Sequence, residues 1–511
     1  MHFPDYLDLA NLKERFPKDF SPSEVARGQT IFLKRLSLLA HQFYGGKMMT
    51  IPKAGIYGFG WFGVWYTPGV SAVSTAIREN TDRSFELSNR SNMVAIVSDS
   101  TRVLGDGDCT PSGGLGVMEG KAFLMYYLGG VNSVALCINS RTDDSYKAGF
   151  EFKPKSEKKH EHSAEKIIDF VRMAAPSFGA VNLEDIAQPR CFKVLDSLQD
   201  CGIPVWHDDA QGTACVTLAG MINAIKVVGK DWKKVKAVFF GAGASNATIV
   251  RLMLAEGLDP KNVIVFDSKG GLHLGRDDLK QDTRFYRKWE ICQSTNPARV
   301  DNVEAACKGA DILCSLSRPG PDVVKKHWIG SMADKAIVFV CANPVPEIYP
   351  HDAKEAGAYI VATGRSDFPN QVNNSMCFPG LLKGCLLVHA SRVTDSMAVE
   401  AAHSLARAQQ KIGIDSEHIM PNMDNVEVFP REAADVAAQA LKDGVARHKI
   451  SPDQVFKTAE RDIKDSRDIV QLLMEREKIQ TPPKAMIDRV LTETIAELRG
   501  EVEAVKGNAD E

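Results

Sequence analysis

The sequence lacks an excess of either charge, because 62 lysines and arginines are set against 65 aspartates and glutamates, a formal net charge of -3. Without a global positive field, we expect it to bind neither nucleic acid nor a membrane surface. It also has no run of about 18 apolar residues, the length that a membrane-spanning helix needs. Over 511 residues, 44% hydrophobic and 25% charged, more than one core is expected. This composition favours a multidomain protein that acts on a small molecule.

Closely paired cysteines are missing as well. The 11 cysteines include no Cys-x-x-Cys spacing and match neither a disulfide framework nor a structural zinc site, so we expect reduced thiols. The first residues include Asp5, Asp8 and Glu14, without the apolar run of a secretory signal or the arginine-rich, acid-poor pattern of a mitochondrial one. The sequence therefore predicts a cytoplasmic protein.

Short apolar runs followed by helical periodicity predict two α/β regions. The runs that predict buried strands are 94–97, 134–138, 203–206, 237–240, 263–266, 312–315, 337–340 and 359–362. We predict an N-terminal α/β domain over residues 1–212 and a doubly wound, Rossmann-type domain over 213–400. Strand patterns end near residue 395, and a helical extension is predicted over 401–511.

A glycine-rich turn follows the predicted strand at 237–240. Its residues are Gly241, Gly243, Ala244, Ser245 and Asn246. A strand that runs into Gly-x-Gly lets the backbone approach a pyrophosphate, and the next helix N-terminus supplies unpaired N–H donors. The third glycine of the usual pattern is replaced by Asn246, which changes the packing of helix on strand more than the phosphate chemistry.

Asp267 strengthens this interpretation, because it ends the next predicted strand, 24 residues after Gly243. An acid at about this spacing accepts a hydrogen bond from a ribose 2'-hydroxyl and opposes a 2'-phosphate, which favours NAD. Lys269 could attract such a phosphate, so NADP stays possible. The alternative is a doubly wound domain whose glycines only form a tight turn.

Two acidic pairs stand out in the N-terminal domain: Glu184-Asp185 follows the apolar stretch 178–183, and Asp208-Asp209 follows the predicted strand at 203–206. Residues just past the carboxyl ends of parallel strands share one sheet edge, so the pairs can converge. Their hard oxygen ligands suit Mg²⁺ or Mn²⁺ better than zinc. The alternative is that both pairs are helix N-caps, where aspartate is common.

Lys121 and Tyr66 are candidate proton-transfer residues only in combination with such a metal site. Lys121 follows a glycine-rich approach to a helix, where the dipole and a nearby cation would favour its uncharged form and let it act as a base. Most lysines in first turns are simply exposed. Tyr66 precedes a Pro-Gly turn, where an aromatic residue usually serves packing.

Taken together, these stretches resemble the malic enzyme family in order and spacing, from about residue 45 to about residue 400. The matching motifs are 66–70 (YTPGV), 102–108 (RVLGDGD), 117–122 (VMEGKA), 182–186 (NLEDI), 207–214 (HDDAQGTA), 241–243 (GAG), 343–347 (NPVPE) and 363–374 (TGRSDFPNQVNN). The resemblance implies an enzyme that oxidises and decarboxylates (S)-malate, or a close 2-hydroxy diacid, with NAD or NADP and a divalent metal.

The resemblance also implies a role for each candidate residue. Glu184, Asp185 and Asp209 would bind Mg²⁺ or Mn²⁺. Lys121 would be the base that removes the hydroxyl proton, Asp208 would orient it, and Tyr66 would be the acid that protonates the enol carbon. Substrate and nicotinamide would be held by Arg102, Asn343, Asn373 and Asn374, with Asn343 also contacting the cofactor.

In compact members of the family the tyrosine comes from a neighbouring subunit, so a homodimer or higher homo-oligomer is expected by resemblance. Two alternatives stay open. One is a metal-dependent oxaloacetate decarboxylase or a malolactic-type enzyme without net redox change. The other is a catalytically inactive dinucleotide-sensing protein, which would need neither Lys121 nor Tyr66.

Overall fold

The computed structural model describes residues 4–103, 106–142, 161–365 and 367–500. The chain divides into two compact units. Unit 1 consists of Met1–Met49 and Arg467–Glu511, and unit 2 consists of Thr50–Ser466.

Unit 2 contains both β-sheets of the described residues. Their strands are β1 (Met93–Ser98), β2 (Asn132–Cys137), β3 (Ala180–Leu183), β4 (Val205–His207), β5 (Ala237–Phe240), β6 (Val263–Asp267), β7 (Gly270–Gly271), β8 (Ile312–Ser315), β9 (Ala336–Val340) and β10 (Ala358–Thr363). The first sheet has the order β2-β1-β3-β4 and is parallel throughout. The second has the order β10-β9-β8-β5-β6-β7, and only the β6–β7 pair is antiparallel.

Helices separate the strands, as parallel pairing requires. They are α1 (Pro22–Tyr44), α2 (Phe62–Trp65), α3 (Val70–Glu79), α4 (Ser84–Leu87), α5 (Thr110–Gly113), α6 (Leu115–Gly129), α7 (Ala164–Ala174), α8 (Arg190–Ser197), α9 (Thr213–Val228), α10 (Ala244–Ala255), α11 (Asp277–Gln281), α12 (Tyr286–Ser294), α13 (Val303–Cys307), α14 (Lys326–Gly330), α15 (Pro350–Glu355), α16 (Phe378–Leu387), α17 (Asp395–Ile412), α18 (Val428–Lys442), α19 (Pro452–Glu475) and α20 (Lys484–Leu498).

The central strands are buried on both faces. All five residues of β9 and all four of β3 are buried, which explains why these strands are continuous apolar runs rather than alternating ones. One stretch of the described residues, Asp208–Val228, is long and apolar enough to cross a membrane. Its most apolar window is 78% buried within the fold, so it is the core helix that follows β4.

The predicted fold class is confirmed: an α/β domain with a parallel sheet is followed by a Rossmann-type sheet and a helical C-terminal region. The antiparallel edge strand β7 is additional to the prediction. It consists of two glycines, which carry no apolar pattern that could have indicated a strand. The predicted domain boundaries at residues 212 and 400 stay a prediction.

Unit 1 joins the beginning of the described chain to its last helix. Its buried apolar residues are Leu12, Phe16, Phe32, Ile487 and Val490. The start of α1 is fixed by a capping box, in which the Ser21 hydroxyl accepts from the backbone N–H of Glu24 while the Glu24 carboxylate accepts from Ser21. Close packing explains Gly28, because a Cβ there would lie 2.6 Å from the Phe16 ring.

Candidate active site

The carboxyl edge of the first sheet brings the two acidic pairs together. Glu184 and Asp185 follow β3, while Asp208 and Asp209 follow β4, and β3 and β4 are parallel neighbours. One oxygen each from Glu184, Asp185 and Asp209 forms a group whose members all lie within 4.8 Å of one another. The backbone N–H of Asp185 also donates to Asp209 Oδ2 at 2.7 Å, which fixes the second pair against the first.

The chemistry of this group fits a hard divalent cation. It offers carboxylate oxygens from three residues, and no cysteine or histidine belongs to it. Burial, together with the neighbouring carboxylates, raises the pKa of Glu184 well above its ordinary value. Such crowding is unfavourable without positive charge, and a divalent cation at this position would offset it.

Lys121 lies beside the same acids. Its Nζ forms an ion pair with Asp208 Oδ2 and lies 3.2 Å from Glu184 Oε1. Lys121 is 9% exposed and Asp208 is fully buried. The alternative interpretation of Lys121 as a solvated first-turn lysine is therefore wrong, since six residues of α6 precede it and its side chain points into the acidic cluster.

Its carboxylate neighbours alone keep Lys121 charged, and an uncharged Lys121 beside a bound divalent cation stays a prediction. Burial alone would lower the pKa of Lys121, but the carboxylates of Asp208, Glu184 and Asp209 more than offset that effect and raise it above its ordinary value. Burial likewise raises the pKa of Asp208, although its ion pair with Lys121 partly opposes the shift. The helix dipole is a smaller influence than these adjacent charges.

The acidic pairs are not conventional helix N-caps. Asp208 and Asp209 begin a single π-helical turn, Asp208–Gly212, that leads into α9, and no side chain caps this turn. π-helical turns are frequent at functional sites. Gly212 is required because a Cβ there would overlap Asp208 Oδ1. Asp185 has a φ of 53°, a left-handed conformation that non-glycine residues rarely adopt.

Two buried residues that support the cluster escaped the sequence analysis. Asn182 Nδ2 donates to Glu184 Oε2 at 2.8 Å, and Trp206 Nε1 donates to Asp208 Oδ1 at 3.3 Å. Each stands two residues before the acid it contacts, so it points to the same face of its strand. This spacing of two residues is the sequence signal that could have identified Asn182 and Trp206 as neighbours of the acids.

Two of the four predicted substrate-binding residues, Arg102 and Asn374, adjoin the acidic cluster. The backbone N–H of Arg102 donates to the carbonyl of Asp185 at 3.0 Å, and the arginine side chain is exposed. Asn374 adjoins the Asp208–Gly212 turn, since its Cβ lies 3.4 Å from an ideal Cβ on Gly212. Asn373 Oδ1 accepts from the backbone of Ser375, and exposed Asn343 packs against Gly364.

Tyr66 lies in a different environment. Its side chain is 71% exposed and belongs to a stretch with many exposed aromatic residues, here called the aromatic segment (residues 55–66). Among the described residues, its hydroxyl forms no hydrogen bond with Lys121 or the four acids. The structure therefore does not bring Tyr66 to this cluster within one chain.

The glycine-rich turn has the geometry of a phosphate-binding loop. Gly241 has a φ of 102°, and a Cβ there would lie 2.6 Å from the carbonyl oxygen of Leu316. A Cβ on Gly243 would meet no atom within 4 Å, so the space above it is open. Helix α10 begins at Ala244 without a side-chain cap, which leaves N–H donors for an anion. These residues fit a dinucleotide pyrophosphate.

Asn246 stabilises this loop in place of the usual glycine. It is fully buried, and its Nδ2 donates to the carbonyl oxygens of Gly241 at 2.8 Å and Phe240 at 3.3 Å. The Ser245 hydroxyl donates to the carbonyl oxygen of Asp209 at 2.8 Å. The loop for the dinucleotide and the acidic cluster are thus directly connected.

Asp267, the candidate ribose acceptor, is already paired. Arg276 donates to both of its carboxylate oxygens, at 2.9 and 3.1 Å, and Lys288 Nζ lies 3.2 Å from Oδ2. Burial opposes ionisation, but the hydrogen bonds from Arg276 and the charge of Lys288 keep the pKa of Asp267 below its ordinary value. Lys269, in contrast, pairs with Asp278 at 3.1 Å. The carboxylate therefore opposes a 2'-phosphate less than the sequence alone indicates.

Comparison with known proteins agrees with this geometry. Residues 60–199 match the family described as malic enzyme, N-terminal domain, and residues 210–442 match malic enzyme, NAD binding domain. The chain is 36% identical over 425 residues to a bifunctional malic/malolactic enzyme of Bacillus subtilis, covering 83% of this chain and 97% of that protein. It is 38% identical over 387 residues to an NAD-dependent malic enzyme of Geobacillus stearothermophilus, covering 75% and 74%.

Among solved structures, the malic enzyme of Entamoeba histolytica superimposes with a TM-score of 0.91 at 53% sequence identity. The match covers 96% of this chain and 98% of that one. The two domain models match in the expected order, and the relatives match over most of their length with the same fold. These matches agree with the site described above, which combines clustered acids, a buried lysine and a glycine-rich loop. The chain belongs to the malic enzyme family.

Proposed function

We propose that the protein oxidises (S)-malate, or a close 2-hydroxy diacid, to pyruvate and CO₂ while reducing NAD or NADP. The observation that carries this proposal is the contact of buried Lys121 with Asp208 and Glu184, beside three residues able to hold a divalent cation. A protein that only senses dinucleotides would have no use for such a cluster, and its burial of three acids around one amine, beside the half-exposed Asp209, would be an uncompensated cost.

Glu184, Asp185 and Asp209 would hold Mg²⁺ or Mn²⁺, which when bound neutralises the crowded carboxylates and stabilises negative charge on the C2 oxygen of the substrate. Gly241, Gly243, Ala244, Ser245 and Asn246 would hold the dinucleotide, whose nicotinamide accepts the hydride from C2.

The proton steps fall to side chains of the protein. With a divalent cation held by the neighbouring acids, Lys121 would be uncharged and would accept the proton of the C2 hydroxyl, and Asp208 would hold the amine in position through their contact. Arg102 would bind a substrate carboxylate, because its exposed guanidinium extends from a backbone joined to Asp185. Asn343, Asn373 and Asn374 would donate hydrogen bonds to the substrate and the nicotinamide. Tyr66 would deliver a proton to C3 after CO₂ has left.

We further propose that the active form is a homodimer, or a higher homo-oligomer, in which Tyr66 serves a partner copy. The aromatic segment supports this proposal, because Tyr57 is 75% and Phe59 90% exposed. Contiguous exposed apolar surface of this kind is typical of interaction sites. Sedimentation of the double variant Tyr57→Ser/Phe59→Ser tests the proposal. We expect dissociation together with loss of turnover, and an unchanged oligomer would contradict it.

The choice between NAD and NADP stays a prediction, with NAD favoured by the acid at position 267. Arg276 and Lys288 beside Asp267 give NADP a possible electrostatic partner. For cellular location, we propose the cytoplasm, in keeping with eleven free cysteines. Malate would be the small-molecule partner, and we propose neither a nucleic-acid nor a membrane partner.

A malolactic activity is the second candidate function, favoured by the name of the Bacillus subtilis relative. Retention of the reduced dinucleotide in the site would convert malate to lactate and CO₂ without net redox change. A single assay separates the two: malate, Mn²⁺ and either dinucleotide, with pyruvate, lactate and reduced cofactor all quantified. Equal amounts of pyruvate and NADH or NADPH are expected. Lactate without reduced cofactor would favour the malolactic reaction, and no turnover would contradict both.

A further inference from the structure

Glu347 is a buried carboxylate that joins the ends of two strands of the Rossmann-type sheet. It is fully buried, and its Oε1 accepts from the Ser315 hydroxyl at 2.9 Å and from the backbone N–H of Ser317 at 3.0 Å. Its Oε2 accepts from the backbone N–H of Ala342 at 3.0 Å. Ser315 ends β8 and Ala342 follows β9, so one side chain holds two neighbouring loops together.

Both loops border the dinucleotide site. The carbonyl of Leu316 is the atom that a Cβ on Gly241 would strike, at 2.6 Å, and Ser317 Cα lies 3.0 Å from the same point. The stretch held by Glu347 therefore forms the surface on which the first glycine of the phosphate loop rests. On the other strand, Ala342 directly precedes Asn343, the residue proposed to contact the nicotinamide.

The bonding of Glu347 is unusual for a buried acid. Within the described residues no lysine, arginine or histidine forms an ion pair with it, and three neutral donors satisfy its oxygens instead. A buried ionisable group without a counter-charge is costly, and a plain turn could be stabilised by an amide or a hydroxyl. Only a side chain with two acceptor oxygens can bind donors from both loops at once.

We propose that Glu347 is a positioning residue for the dinucleotide: it sets the separation of the loops after β8 and β9, and through Ser317 and Asn343 it orients the nicotinamide half of the site. The inference rests on the proposed use of NAD or NADP. It adds a residue that touches neither substrate nor cofactor and acts through the backbone of its neighbours.

The substitution Glu347→Gln tests this role, because it keeps the size of the side chain but replaces one acceptor oxygen with a donor. The amide can still accept from Ser315 and Ser317, yet its NH₂ would face the N–H of Ala342. We expect the dissociation constants of NADH and NADPH, measured by fluorescence titration, to rise about tenfold, since one hydrogen bond to a charged acceptor is lost. The KM for malate and the affinity for Mn²⁺ should stay at wild-type values.

Glu432→Gln is the matched control. Glu432 on α18 is just as buried, but among the described residues it interacts with the Cys377 thiol and with neither of the loops after β8 and β9, so its replacement should leave dinucleotide affinity unchanged. Should the Glu347→Gln protein fail to fold, Ser315→Ala removes one donor to the same carboxylate, and about a threefold weaker binding of NADH is expected.

Wild-type dinucleotide affinity in both Glu347→Gln and Ser315→Ala would overturn the proposal, even if their melting temperatures fell, because the role would then be structural only. Equal weakening in Glu347→Gln and Glu432→Gln would overturn it as well. The outcome is independent of malate chemistry: a wild-type protein that binds NADH but does not oxidise malate would contradict the proposed function, while the comparison of affinities would still decide the role of Glu347.

Discussion

The base and the acid proposed for this site lie in opposite surroundings. Lys121 is 9% exposed and contacts fully buried Asp208, whereas Tyr66 is 71% exposed in a segment where Phe59 is 90% exposed. The acidic cluster lies within one chain, and Lys121 offsets part of its negative charge while a bound cation would offset the rest. The aromatic segment, in contrast, exposes large apolar side chains to water. This exposure is unfavourable unless another protein surface covers them.

This difference indicates which half of the chemistry one chain can carry alone. The metal-binding acids and Lys121 are held by strand ends and by the π-helical turn, so proton abstraction has a preformed site. Proton delivery by Tyr66 needs a surface from elsewhere to cover the aromatic segment. Substitutions on the two sides should therefore differ in their effects on stability, on turnover and on complementation between chains.

The largest effect is expected for Lys121→Ala. The change removes the proposed base, and kcat should fall by about three to four orders of magnitude. It also leaves Asp208 and Glu184 buried without their counter-charge, so the free energy of unfolding should fall by about 3 kcal/mol in metal-free buffer. Little change in folding would be expected only of an exposed lysine, which Lys121 is not. Steady-state kinetics and urea denaturation measure the two effects.

Lys383→Ala is the control for that experiment. Lys383 is also buried and pairs with Asp462 at 2.7 Å, but it has no proposed part in the reaction. It should lose stability in the same way while kcat of the folded fraction stays near the wild-type value. A Lys121→Ala protein that oxidises malate at the wild-type rate would remove Lys121 from the mechanism.

Tyr66→Phe should lower kcat by about two to three orders of magnitude, because it deletes the proposed acid. The free energy of unfolding should not change, since an exposed hydroxyl contributes little to stability. Mixing this variant with Lys121→Ala offers a sharper measurement. If Tyr66 acts in the partner's site, random dimers should recover up to about a quarter of wild-type activity, because half of them contain one intact site of two. Absence of recovery in verified mixed dimers would assign Tyr66 to its own chain or to no catalytic role.

The smallest effect on turnover is expected for Glu432→Gln. This variant tests whether a buried acid with no proposed role in the reaction affects stability alone. Glu432 is as buried as Asp208, and burial raises its pKa well above the ordinary carboxyl value. The folded protein therefore keeps this proton at pH values where the unfolded chain releases it. Stability should fall as pH rises from about 4.5 towards the raised pKa, by up to about 1.4 kcal/mol per pH unit.

Replacing Glu432 with glutamine should abolish that part of the pH dependence while leaving kcat at pH 7 unchanged. Urea denaturation of both proteins between pH 5 and pH 8 provides the comparison. Parallel stability curves for wild type and variant would show that Glu432 does not titrate in this range.

Much of the fold was predictable because parallel strands buried on both faces leave continuous apolar runs. The predicted run at 312–315 coincides with β8, and that at 237–240 with β5. The short edge strand β7 was not predictable, since two glycines form it by antiparallel pairing with the end of β6. Nor could periodicity indicate that residues before and within α1 pack with α20, because such contacts are distant in sequence.

At the site, residue types and strand ends were enough to suggest that Glu184, Asp185 and Asp209 converge, which the geometry confirms. Their roles in binding and catalysis stay proposals. The ion pairs of Lys121 were not predictable, because its two partners lie 63 and 87 residues further along the chain. The same limit applies to Asp267, whose pairing with Arg276 is a matter of side-chain direction rather than of spacing.

The packing within unit 1 has a consequence for any shortened form of the protein. Leu12, Phe16 and Phe32 share one apolar core with Ile487 and Val490, and Arg35 pairs with Glu497 at 2.6 Å. Deleting residues before or within α1 would therefore expose apolar side chains of α20. Deleting α20 would likewise expose apolar side chains of α1 and of the residues before it. Proteolytic removal of one of these two segments would therefore destabilise the other, although more than 400 residues separate Phe32 from Ile487 in sequence.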